Sequence, residues 1–68
     1  MNKFAERLKE LRVEKGLSLE QLAKEINVSD VAIGRWERKL RIPNIEVLIS
    51  LARFFNVTSD YLLGLTDL

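Results

Sequence analysis

The sequence predicts an all-α fold built from five short helices. Apolar residues recur three and four positions apart along most of the chain, and no stretch alternates apolar and polar as a strand would. The apolar runs are also punctuated by capping residues before them and by glycine or asparagine after them. Sixty-eight residues, 47% apolar and 31% charged, suffice for one small core, so a single domain over residues 1–68 is expected.

Each element follows from local chemistry. Phe4, Leu8 and Leu11 stand at i, i+4 and i+7, and Gly16 is placed for a left-handed helix end, which sets the first helix at about Asn2 to Lys15. In "LSLEQL", Ser18 and Gln21 have the spacing of a capping box, flanked by Leu17 and Leu22 as a hydrophobic staple. The second helix then covers about Leu19 to Ile26. Asn27 tolerates positive φ, and Val28 and Ser29 repeat the start signal for a third helix over about Asp30 to Arg38. Pro43 and Asn44 open a fourth helix with Ile45, Leu48, Leu51, Ala52 and Phe55 on one stripe; Thr58 caps a short fifth that Gly64 ends.

Composition excludes several kinds of chemistry. The chain has no cysteine and no histidine, which removes disulfides, thiolate metal sites and imidazole catalysis; no metal or cofactor is expected. It shows no glycine-rich phosphate loop and no carboxylates that local spacing forces together, so an enzyme is disfavoured. No run has the length of a membrane span, and "MNKFAERLKE" lacks the apolar centre of a signal peptide. A soluble chain in a reducing, cytoplasmic setting is expected.

The second and third helices are separated by only three residues, the spacing of a helix-turn-helix or of a plain helical hairpin. Ala23 favours the former, because tightly crossed helices need a small residue at the crossing. From "RLKELRVEKGLSLEQLAKEINVSDVAI" through "IPNIEVLISLARFFNVTSDYLLG", the chain resembles the phage repressor and Cro type of helix-turn-helix regulators, the xenobiotic response element family. The resemblance implies a compact five-helix, lambda-repressor-like bundle that binds double-stranded DNA, its third helix in the major groove. A two-fold homodimer on a palindromic operator is implied as well. A helical protein-interaction module, or a fragment of a larger regulator, is the rival expectation.

Three positions depart from that family. Leu19 stands where a phosphate-binding glutamine is common, leaving only backbone N–H groups at that helix start. Asn27 replaces the usual glycine of the turn. The "ERKLRIP" after the third helix replaces a Glu-Asn-Gly type of turn, so a longer third helix and a more basic loop are expected.

With Ile33 and Trp36 toward the core, helical geometry turns Val31, Gly34, Arg35 and Arg38 the other way. Arginine on that face suits the guanine edge and valine the thymine methyl, so Asp30, Val31, Gly34 and Arg35 are the expected base contacts. Gly34 costs helix stability, which a close approach to the backbone would explain; a neutral surface choice is the alternative. Four cations against Glu37 give residues 35–41 a positive excess of three, so the rest of a +1 chain is net acidic. Arg38, Lys39 and Arg41, with Leu19 and Asn44 at two helix starts, are the expected phosphate contacts; a merely solvated loop competes.

The resemblance also implies an ion pair between Arg12 and Glu37, with Arg12 touching a phosphate besides. An exposed Glu37 paired with Arg38 or Arg41 is the alternative. The ending "YLLGLTDL" is apolar beyond what one short helix buries, so Tyr61, Leu62, Leu65 and Leu68 are the expected dimer surface; Leu65 folding back on the first helix competes.

Overall fold

The N-cap residue's own side-chain oxygen accepts a first-turn N–H in four of the five helices, and those caps set the chain's punctuation. The structure, a computed structural model, describes residues 2–67. Its helices are α1 Phe4–Glu14, α2 Leu19–Ile26, α3 Asp30–Glu37, α4 Ile45–Phe55 and α5 Ser59–Leu63. Ser18 accepts from the Gln21 N–H at 3.0 Å while the Gln21 side chain accepts from the Ser18 N–H at 2.8 Å, a complete capping box. Ser29, Asn44 and Thr58 cap α3, α4 and α5 in the simpler one-bond form. Each such cap contributes about 1 kcal/mol.

The helix ends use left-handed residues. Gly16, Asn27, Asn56 and Gly64 have φ of 71°, 58°, 56° and 79°. Gly64 is needed twice over: its φ is left-handed, and a Cβ there would lie 2.9 Å from Lys3 Cβ. That close approach is where the Lys3 N–H reaches the Leu63 carbonyl at 3.2 Å, joining the start of α1 to the end of α5.

Among the described residues there is one core cluster. Phe4 and Leu8 meet Leu22 and Ala23, Ile33 and Trp36, Leu51, Ala52 and Phe55, and Leu62. Leu8, Leu22, Ile33, Leu51 and Leu62 are fully out of solvent, each burial contributing roughly 1.5–3 kcal/mol. Ala23 is buried in this cluster, and α2 packs against α3.

The structure departs from the sequence expectations at several places. α1 is shorter at both ends, because Lys3 offers no side-chain cap and Asn2 instead accepts the Phe4 N–H at 3.1 Å. α3 does not lengthen: it stops at Glu37, and Lys39 enters the left-handed region at φ 64°. The Leu40 N–H then closes on the Arg35 carbonyl at 2.9 Å, a Schellman-like ending without glycine. Ile45 leaves the α4 stripe and is 75% exposed, since the first turn of α4 projects past the core. Leu62 is wholly buried, which removes it from any dimer surface. Leu68 lies outside the described residues.

Candidate nucleic-acid interface

α3 is held from both ends before its outer face is considered. Ser29 caps it and Asp30 accepts the Val31 N–H at 2.9 Å, placing a carboxylate at the positive end of the helix dipole. Ile33 and Trp36 anchor its inner face in the core.

Arg12 and Glu37 lock the outer end of α3 to α1. Arg12 Nε donates to Glu37 Oε2 at 2.7 Å and Nη2 to Oε1 at 3.0 Å, while Nη1 donates to the Leu17 carbonyl at 2.8 Å. The two side chains are 14% and 8% exposed. The bond to Glu37 raises the Arg12 pKa above its ordinary value, and burial opposes this more weakly. The donors of Arg12 therefore point into the protein, which leaves little of it for the phosphate contact that the sequence suggested.

The outer face of α3 is open where Val31 and Arg35 stand. Val31 is 54% exposed, and Arg35 is exposed with no ion pair among the described residues. Gly34, by contrast, is buried. A methyl group on it would lie 3.7 Å from Leu19 Cδ1 and 3.8 Å from Arg38 Nη1, ordinary contact distances, so the glycine is covered by these two side chains and not required for space. The expectation of a bare backbone patch at Gly34 is corrected accordingly: Arg38 lies over it.

Around that face the cations are disposed differently from one another. Lys39 Nζ sits 3.1 Å from Glu6 Oε1 on α1, and this hydrogen bond holds the Glu6 carboxyl below its ordinary value of 4.5. Arg41 is exposed and bonds only its neighbour's carbonyl, Leu40 O, at 3.1 Å. Asn44 is exposed with its side-chain oxygen committed to the α4 cap, leaving other first-turn N–H groups beside it facing outward. Leu19, half-buried against the core, opens α2 directly after the Ser18 cap.

On α1, the role of Arg7 was not anticipated. It is 8% exposed and donates to the carbonyls of Tyr61 and Thr66 and to Asp67, with its guanidinium 4.2 Å from the Tyr61 ring centre. These partners lie 54 to 60 positions away, so local spacing gave no sign of them. Arg7, with the Lys3–Leu63 bond, ties the C-terminal segment to the start of α1; Leu65 remains 72% exposed.

Two individually capped helices packed against each other, joined by three residues and showing a cationic outer face on the second, define a helix-turn-helix protein. The chain belongs to the HTH_3 helix-turn-helix family, which matches residues 8–62. It is 39% identical over 64 residues to YobD, an uncharacterized HTH-type transcriptional regulator of Bacillus subtilis, covering 94% of this chain and 57% of that protein. It is 46% identical over 61 residues to the HTH-type transcriptional activator BcrR of Enterococcus faecalis, covering 90% and 30%. The chain thus spans less than two thirds of either relative. Among solved structures, the P22 c2 repressor in complex with a synthetic operator superposes with a TM-score of 0.86 at 35% identity, over 93% of this chain and 96% of the other.

Proposed function

We propose that this chain binds double-stranded DNA as a transcriptional regulator, with α3 in the major groove. The observation that carries this is the open face of α3: Arg35 is exposed and unpaired beside an exposed Val31, on a helix whose other contacts are rigidly satisfied. Eight residues of helix are about 12 Å long, and the major groove is about 12 Å wide. Arg35 has the donors for a guanine O6/N7 pair and Val31 the surface for a thymine methyl, with Asp30 at the helix start able to accept from a base amino group. The P22 c2 repressor was solved with an operator, and its likeness to this chain supports the same mode here.

The phosphate contacts follow from what stays free. Arg38 and Arg41, with the N–H groups opening α2 at Leu19 and α4 beside Asn44, grip the two strands flanking α3; Lys39 joins them only by leaving Glu6. The active form is a homodimer on a palindromic operator in the cytoplasm, with Tyr61 and Leu65 on the surface between subunits. No helix among the described residues is long and apolar enough to cross a membrane.

Selecting bound sequences from a random duplex pool tests this. A palindromic consensus with half-sites about 34 Å apart, bound with an affinity that falls steeply with salt, is expected. An unenriched pool, or association indifferent to salt, overturns it.

A further inference from the structure

Between the start of α1 and the α3–α4 loop lies a recess of roughly 190 Å³. It is lined by the apolar Phe4, Ala5, Trp36 and Ile42 together with Asn2, Lys39 and Arg41. Trp36 is only 7% exposed, yet its indole N–H has no hydrogen-bond partner among the described residues. Buried indole N–H groups usually find a partner. Among the described residues no side-chain nitrogen or oxygen is both sealed from solvent and unsatisfied, so the indole nitrogen keeps some contact with solvent, and Trp36 is one of the residues lining the recess.

The hydrogen-bonding capacity left free there is mostly that of donors. Trp36 can only donate, and so can Arg41, which is in no ion pair among the described residues; Asn2 also lines the recess, and its side-chain oxygen already accepts the Phe4 N–H. No carboxylate is among the lining residues, and Glu6 is held by Lys39 at 3.1 Å. A site of free donors with a net positive lining selects a ligand that only accepts, and a phosphate group has oxygens enough for an indole and a guanidinium together. The recess also adjoins the end of α3, where a helix lying in the major groove is flanked by the DNA backbone.

We infer that this recess is a phosphate-binding site, with the Trp36 indole N–H and the Arg41 guanidinium as its donors. The inference rests on the DNA-binding reading, which makes a backbone phosphate the occupant; a soluble phosphate is the other source of the same chemistry. Trp36 then serves both the core and the ligand: its ring packs inside while its one polar atom completes a neutral contact to DNA.

The chain has a single tryptophan, so one indole resonance in a ¹⁵N–¹H spectrum reports on the site directly. The full chain is titrated with its selected duplex, and separately with sodium phosphate against sodium chloride at equal ionic strength. A downfield shift of the indole signal with duplex assigns the recess to the DNA backbone. A saturable shift with phosphate alone assigns it to a soluble phosphate. A signal that stays in place in both titrations, while fluorescence anisotropy shows the duplex bound, overturns the inference and leaves DNA binding standing; absence of duplex binding overturns the DNA-binding reading itself. Trp36→Phe is expected to weaken duplex binding several-fold without changing the salt slope, because the lost donor is neutral. Arg41→Ala should make that slope shallower by about one unit.

Discussion

Arg12 on α1 and Glu37 on α3 face each other through two nearly parallel N–H···O bonds, 2.7 and 3.0 Å long, with both side chains almost out of solvent. Two helices far apart in sequence are held in register by this fork, and the second of them is the proposed reading helix.

Glu37→Ala strands a buried guanidinium that keeps only its bond to the Leu17 carbonyl. Broken buried pairs cost up to about 3–5 kcal/mol, so this variant should lose well over what an exposed carboxylate contributes. Urea melts of Glu37→Ala, Arg12→Ala and the double variant should show strong coupling; simply additive losses would mean the fork contributes nothing to stability. Because the folded pKa of Arg12 is raised, its contribution holds at all pH below the ordinary arginine value and fades only in strong base.

Arg35→Ala should cost about 1–3 kcal/mol on the selected site and relax preference at one base pair per half-site. Arg38→Ala should act differently, weakening all sequences alike, since Arg38 lies over Gly34 beside the proposed reading face. Binding to a panel of single-base operator variants decides between them. If Arg35→Ala scales every sequence by a common factor, the open face of α3 does not read bases.

Lys39 occupies a left-handed conformation, which costs a residue with a side chain roughly 1–2 kcal/mol. Lys39→Gly should therefore raise the melting temperature by a few degrees, even though it removes the exposed pair with Glu6. Lys39→Ala keeps the strain and loses the pair, so it should melt slightly lower than wild type. The Lys39→Ala deficit has a pH signature. Glu6 has a lowered folded pKa, so its contribution is present above the ordinary value of 4.5 and lost as pH falls through the folded value. The gap between wild type and Lys39→Ala should close in acid below that window, and a gap that persists there would detach it from the ion pair.

Leu62 and Leu65 stand three residues apart and should behave oppositely. Leu62→Ala empties a fully buried position and should cost about 2–5 kcal/mol. Leu65→Asp, at a site 72% exposed, should leave the melt nearly unchanged while weakening DNA binding through the proposed dimer. Sedimentation across concentration, with and without operator, measures the latter; a monomer under every condition removes the two-fold arrangement.

What the sequence determined by itself was everything that depends on residues a few positions apart. The Ser18–Gln21 capping box, the left-handed Asn27 and Gly64, and the inward Ile33 and Trp36 are set by spacing against a 3.6-residue repeat, so they are legible in a string of letters. The ends of α1 and α3 were less so, because a start without an N-cap side chain at Lys3 and a non-glycine Schellman ending at Lys39 carry no compositional mark. Only the tertiary structure decided which apolar residues of an over-supplied segment go inside. Leu62 is buried while Leu65 and Ile45 are not, because burial depends on where α4 and α5 dock, not on periodicity within either. The same holds for Arg7, whose partners arrive from the other end of the chain, and for Leu19, which reaches Gly34 from another helix. Spacing along one helix tells which way a side chain leaves the backbone; what it meets there is settled by the packing of helices that are remote in sequence.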